Sequence, residues 1–563
     1  MVGIISTNIT SPLGLTTNEN FHSVMEGKSA LQTYTGKWSI PEPFCASMFS
    51  HEQELQILEN GLSRFESIVL YSIRQACTHT NIDIASDRTL LILSTTKGNI
   101  ESMERGTDPI MGCDTKKIAA ASGLKTSPVT VCNACTSGVS AIILASRLLN
   151  SESYDNVIVC GADCLSKFIV SGFLSLKVLS PTPCKPFDID RTGLNLGEAA
   201  ATIVLSRLEQ HCKWHISKGV IRNDAYHISS PSKNSEGAFL SLEHLTDGID
   251  KNEIAFINAH GTGTMFNDQM ESVAIQRARL SSVPVNSYKA YFGHTMGAAG
   301  ILETVLSIEA LNHGIILPTK GYEESGVSGK VEIIKTPQTS KKPCFIKMIS
   351  GFGGSNASLL CSKNKTEVRT VPPSLEVTHT VNITPSEILL DNNRLEVSGA
   401  GIDMLTDIYR KHIAHYPRFY KMDMLCRLGF VASELLLKAE GKERFVENDD
   451  RAVILFNRSS SISSDKKYQA TITEGENYFP SPTVFVYTLP NIVTGEIAIR
   501  NHYHGETSLY ILASKDTPCM QHIITSTFLD KATTSIITGW IDYMDDKNFI
   551  AELALIQNNN KNK

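Results

Sequence analysis

No stretch of this chain approaches the ~18 consecutive apolar residues that a membrane-spanning helix needs. Long basic runs are missing too. With 52 Lys and Arg against 58 Asp and Glu the formal charge is −6, so neither nucleic acid nor an anionic membrane surface is an expected partner. The 13 cysteines follow no framework spacing, and their odd number argues against complete internal pairing. A reducing compartment fits them best. The first residues, MVGIISTNITSPLGL, lack a basic segment followed by a long apolar one, so the expected location is the cytoplasm.

At 563 residues the chain exceeds one ordinary domain and is expected to hold several units. Apolar runs at Val2 to Ile5, Thr89 to Leu93, Asn156 to Cys160 and Ala199 to Leu205 read as buried strands. A dense apolar stretch from Arg64 to Ala76 reads as a buried helix between them. The alternation predicts an α/β fold with a mostly parallel sheet in layers. Residues 173–198, rich in Gly, Pro and Asp, read as a long loop.

The stretch 129–149, VTVCNACTSGVSAIILASRLL, joins a short β-branched run to an apolar helix through a turn of small residues. Cys135 stands at that helix's N-terminus. Unsatisfied backbone N–H groups and the helix dipole there favour a thiolate and can hold a developing oxyanion. Cys132 makes a CxxC spacing with Cys135, which is compatible with a redox dithiol or half a zinc site. A second CxxC is absent, and Cys132 reads as a core residue of the strand. Cys135 is therefore the candidate nucleophile.

Three further clusters follow. INAHGTGT at 257–264 delivers His260 to a Gly-rich turn with Thr262 and Thr264. VNSYKAYFGHTMGAAG at 285–300 sets Lys289 and His294 before small residues that open a helix, which implies close helix packing. GFGGSNA at 351–357 is a glycine loop after a strand. Each alone is weak: a single histidine more often caps a turn than reacts, and Gly-rich loops are common.

Taken in order, ACTSG, AHGTGT, Lys with GHTMGAAG, and GFGGSN resemble the signatures of the β-ketoacyl-ACP synthases, condensing enzymes of the thiolase-like superfamily. PFDIDRTG at 186–193 and its following GEAA also match. The resemblance covers residues 1–360. It implies a thiolase-like layered αβαβα fold of two pseudo-repeated halves and a decarboxylative Claisen condensation on carrier-protein thioesters. By the same resemblance Cys135 carries the acyl group, and His260 and His294 stabilise the malonyl-derived enolate. Lys289, paired with Glu303, supports the histidines. The backbone N–H groups of Cys135 and Phe352 form the oxyanion hole, Phe352 and Phe173 are aromatic gates, and Thr262 and Thr264 hold the phosphopantetheine arm. Neither metal nor organic cofactor is implied. The implied partner is an acyl carrier protein bearing acyl and malonyl groups, in a homodimer or a ketosynthase-type heterodimer. An acyltransferase without condensation and a non-catalytic chain-length partner are the competing readings. Leu194 departs from the family, which usually has an aromatic residue there, and the segment between Leu93 and the nucleophile strand is short.

The remainder begins with a polar, Pro-ended linker, SKNKTEVRTVPP at 362–373. Beyond it, DRAVILFN at 450–457 mirrors DRTLLILS at 87–94, and SIITGWID at 535–542 mirrors NVIVCGAD at 156–163. Residues 422–438 mirror the helix that starts at Arg64. The expected division is a catalytic unit at 1–361, a linker at 362–374 and a degenerate thiolase-like half at 375–563. In that half the position equivalent to Cys135 falls on Thr517, so no nucleophile is expected. Residues 479–504, absent from the first copy, are expected to pack on the catalytic unit and complete its acyl pocket.

Overall fold

The computed structural model describes residues 2–78, 80–208, 211–365, 372–473 and 478–560. Part of the expected linker, 366–371, lies outside the described residues. Strands β1 (Val2–Thr10), β2 (Thr89–Ser94), β3 (Val129–Val131), β4 (Asn156–Asp163) and β5 (Ala199–Ser206) form one sheet in the order β1-β5-β4-β2-β3. The β2, β3 and β4 strands run parallel, and β5 is antiparallel to both its neighbours. A second sheet repeats that layout. Its strands are β6 (Trp214–Asn223), β7 (Ile254–Asn258), β8 (Pro284–Asn286), β9 (Cys344–Ser350) and β10 (Ser355–Ser362), in the order β6-β10-β9-β7-β8.

The helices that matter in this unit are α1 (Arg64–Cys77), α2 (Ser137–Asn150), α3 (Lys167–Ser175), α4 (Glu236–Thr246), α5 (Met265–Arg277) and α6 (Ala299–Asn312). α2 and α6 lie between the sheets, α1 covers the outer face of the first and α4 that of the second. This is the expected αβαβα layering. Almost every residue of α2 is buried, because a helix between two sheets has no solvent face. Its contact with α6 is made by glycine: a Cβ on Gly300 would stand 2.5 Å from the Val139 nitrogen, closer than any side chain could be accommodated. That is the close packing the GAAG run implies.

Residues 375–558 build a sheet of the same plan. Strands β11 (Leu375–Thr384), β12 (Arg451–Asn457), β13 (Thr507–Ile511), β14 (Ser535–Asp545) and β15 (Asn548–Asn558) run in the order β11-β15-β14-β12-β13. Helices α7 (Met424–Glu440), α8 (Pro482–Tyr487), α9 (Ile492–Asn501) and α10 (Thr517–Thr527) accompany it. A local clamp recurs as well. Asp163 accepts hydrogen bonds from the hydroxyls of Thr95 and Thr96, and Asp542 accepts from the backbone N–H and hydroxyl of Ser459.

The two sheets meet edge to edge. β13 pairs antiparallel with β3, Tyr510 opposite Val131 and Ile511 opposite Thr130. Cys132 lies just past the end of β3, not inside it, and its N–H continues the ladder to the Leu509 carbonyl at 3.1 Å. Asn133 then substitutes for backbone: its side chain accepts from Leu509 N–H at 2.8 Å and donates to Ser508 Oγ at 3.1 Å. Arg147, near the other end of α2, pairs with Glu506 at 2.6 Å. One apolar core runs through the junction, uniting Ile142, Leu144, Tyr510 and Ile523.

Two further expectations change in detail. Residues 173–175 belong to α3, so the loop starts later than its composition suggested. Register moves the counterpart of Cys135: Ile92 faces Val129 and Leu455 faces Leu509, which puts Lys515, not Thr517, six residues on from the matching strand position. Helix starts agree, since Ser137 and Thr517 open α2 and α10. A position counted along the chain is two residues off because the turns before the two strands differ in length.

A buried ion pair also crosses between the units, Arg222 Nη1 to Asp530 Oδ2 at 2.6 Å. Burial raises and Arg222 lowers the Asp530 carboxyl, with a net shift downward. Asp530→Ala leaves Arg222 buried without its carboxylate and is expected to cost about 3–5 kcal/mol in denaturant-induced unfolding. A loss below the error of the unfolding curves contradicts the assigned role.

Candidate functional site

Cys135, His260 and His294 come from three different junctions and converge. Cys135 sits in a 3-10 turn, Ala134–Thr136, ahead of α2, and Ala134 is held in left-handed backbone at φ 49°. Such a conformation in a non-glycine residue persists only where its surroundings impose it. His260 follows β7, its turn fixed by Glu271 of α5, which accepts from the His260 and Gly261 N–H groups at 2.6 Å each. His294 N–H donates to the Asn195 carbonyl at 2.6 Å, so the chain just after PFDIDRTG sets the histidine's position. The ligating atoms of Cys135, His260 and His294 all lie within 4.8 Å of one another, close enough for one reacting group to touch all three.

His294 Nε2 is 2.9 Å from Cys135 Sγ. Its Nδ1 accepts from the Met296 N–H at 3.3 Å, which assigns the ring proton to Nε2. The two imidazoles meet edge to face with centroids 4.9 Å apart. Burial, then the charge of Lys289, hold both histidines well below the ordinary range, so both are neutral near pH 7. Burial also pushes the Cys135 thiol up to about 12, against the pull of Lys289. Desolvation thus outweighs the expected thiolate preference of the helix end.

Beneath the histidines Glu303 bridges two lysines, Lys289 as expected and also Lys347 at 2.5 Å. Lys347 further donates to Asn258 Oδ1 at 2.8 Å and the Ala259 carbonyl at 3.2 Å, just before His260. Sequence reasoning missed Lys347, although a lysine inside the apolar run CFIKMIS was a visible signal of a buried partner. Asp163 was missed too: it accepts from the Gly297 N–H at 2.7 Å and ties β4 to the turn after His294.

A cavity of about 320 Å³ opens over the three residues, with Thr262, Thr264, Phe352, Phe173 and Leu194 in its wall. Thr262 and Thr264 hydroxyls are 3.0 Å apart. Leu194 stands in this wall where the family usually has an aromatic residue. A separate small apolar pocket of about 20 Å³ also lies against Cys135, bounded by Phe173, Phe352, Met296, Lys97, Phe485 and Leu489. Two of those belong to the C-terminal unit. Phe485 lies edge to face with Phe173 at 5.5 Å and fills the space over Gly172, where a Cβ would meet its ring at 2.1 Å. Asn491 donates to the Phe352 carbonyl at 2.9 Å.

Residues 88–211 match the N-terminal domain of the beta-ketoacyl synthase family and 215–323 its C-terminal domain. A putative 3-oxoacyl-[acyl-carrier-protein] synthase, mitochondrial, of Schizosaccharomyces pombe is 31% identical over 260 residues, 42% of this chain and 61% of that protein. The chain thus spans about three fifths of that relative. A chain of the complex of the ketosynthase ApeO with its chain length factor ApeC from Xenorhabdus doucetiae is 27% identical with a TM-score of 0.58, over 64% of this chain and 97% of that one. The PfaC keto synthase-chain length factor shares the fold along 100% of this chain and 78% of its own, at a TM-score of 0.76 and 15% identity. Across residues 88–211 and 215–323, which carry ACTSG, AHGTGT and GHTMGAAG, the chain thus matches the two domains of the beta-ketoacyl synthase family.

Proposed function

We propose that this chain is a condensing enzyme, a beta-ketoacyl-ACP synthase of the acyltransferase class. The Cys135 sulfur attacks an acyl thioester on a carrier protein, forming acyl-cysteine and releasing the carrier thiol. A malonyl thioester then enters, its C–CO₂ bond breaks, and the enolate oxygen accepts hydrogen bonds from His260 and His294. The enolate carbon forms a bond to the acyl carbonyl, the C–S bond to Cys135 breaks, and 3-oxoacyl carrier leaves. The observation that carries this reading is the convergence of one sulfur and two neutral imidazoles within 4.8 Å at the base of one cavity. Neutral imidazoles suit hydrogen-bond donation to an enolate, since a cationic one would be consumed by ion pairing or proton loss.

In this reading Thr262 and Thr264 hold the pantetheine arm, the N–H groups of Cys135 and Phe352 receive the thioester oxyanion, and Phe173 with Phe352 gates the sulfur. Residues 1–361 are the catalytic unit. Residues 375–563 are a degenerate half that takes the place of a separate subunit: β3 has β2 on one side and β13 on the other. The solved relative ApeO has its chain length factor as a separate chain, whereas here β13, Phe485 and Leu489 reach the site from the same chain. The small space they leave supports a short acyl group on Cys135.

Incubation with acyl-carrier and malonyl-carrier thioesters is expected to yield 3-oxoacyl carrier by mass spectrometry, with neither acyl-enzyme nor product in Cys135→Ala. Acyl exchange without a 3-oxoacyl product favours simple acyl transfer, and an unmodified Cys135 favours a non-catalytic partner.

Acidity supplies a second test. Because both histidines are held well below 6.5, malonyl-thioester decarboxylation is expected to stay level as pH falls through 6.5 and to drop only when the rings protonate. Lys347 is one of the cations that hold them down. Lys347→Met removes that charge, so the acid limb moves toward neutral pH. Superimposable pH profiles contradict this coupling.

A further inference from the structure

A second cavity, about 340 Å³, lies in the C-terminal unit and shares no lining residue with the one over Cys135. Its wall holds Arg444, Arg500, Lys438 and a single carboxylate, Glu434, together with His412 and His415. Glu434 is buried and serves both guanidiniums: it accepts a short hydrogen bond from Arg444 Nη2 and stands 3.7 Å from Arg500 Nε. Three cations against one carboxylate leave a surplus of two positive charges before either histidine is counted. The C-terminal ends of α7 and α9 offset about half a charge each, so the surplus survives them.

Hydrogen-bond acceptors are short in the same place. The Nε atoms of Arg444 and Arg500 are both buried without a hydrogen-bond partner. An ion cluster with a purely structural role matches its donors to acceptors, since each buried orphan is costly. Aromatic rings hold the two guanidiniums in place: Arg500 Cζ is 4.7 Å from the Tyr416 ring and 4.3 Å from that of Phe445, and Arg444 Cζ is 4.7 Å from Phe445. The rim is strained. A π-turn at Tyr409–Ile413 runs into Ala414 and His415 at φ 53° and 54°, and Phe445 across the cavity is at 64°. Left-handed non-glycine residues and π-turns collect at functional sites.

We propose that this cavity binds a phosphate-bearing small molecule, with the phosphate held by Arg444, Arg500 and Lys438. Two guanidinium forks and an ammonium around one cavity suit the paired oxygens of a phosphate. A volume of about 340 Å³ accommodates more than the phosphate alone, at the small end of ligand sites.

Calorimetric titration of the full chain with inorganic phosphate and with pyrophosphate tests this, with sodium chloride at matched ionic strength as control. Saturable binding in the millimolar range or tighter is expected, absent with chloride. Lys438→Gln leaves Glu434 with both its arginines, so the fold is retained and affinity is expected to fall about tenfold. Arg500→Gln is expected to abolish binding, with circular dichroism recorded to verify folding. No saturable binding, equal heats with chloride, or an affinity unchanged in the folded Lys438→Gln protein overturns the proposal.

Discussion

The strand that delivers Cys135 has no free edge. Val129–Val131 is three residues long, too short to hold a strained turn by itself, and β13 of the C-terminal unit pairs along its outer side. Asn133 extends that pairing by side chain almost to Cys135, while Arg147 and Glu506 fasten the far end of the helix that follows. The turn that carries Cys135 is therefore held by both units. Burial of the helix between two sheets and against α10 makes the arrangement rigid, which is what a site needing sub-ångström placement of sulfur and imidazole requires.

Electrostatics below the site follow from the same burial. Lys289, Glu303 and Lys347 form a dry cluster carrying one net positive charge, set directly under two imidazoles. Desolvation and that charge act in one direction on the histidines and in opposite directions on the cysteine. A set of neutral donors around a protonated thiol results. Enclosure of the turn pushes the Cys135 thiol up, opposite to the direction a helix end alone would give.

Much of this was legible beforehand because it is local. Small-residue turns, strand runs and the four motifs announce themselves within a dozen residues, and the structure brings Cys135, His260 and His294 together as the motif order implied. The repeat was visible in DRAVILFN and SIITGWID because buried strands of one sheet plan share an apolar pattern. What sequence did not give was long-range pairing. Nothing adjacent to Asn133 points to Leu509, and Arg222 and Asp530 are 308 positions apart. The shift from Thr517 to Lys515 has the same origin, since register is set by strand pairing and not by counting through turns.

Phe485 and Leu489 reach the space behind Cys135 from the second unit, so an acyl chain on the sulfur is expected to touch both halves of the molecule. The most direct measurement is to load Cys135 with a short acyl group ending in a diazirine, irradiate, and map the crosslinked peptides by mass spectrometry. Crosslinks within residues 482–489 are the predicted result. Crosslinks confined to the catalytic unit, on a protein whose Cys135 is shown to be acylated, contradict the account.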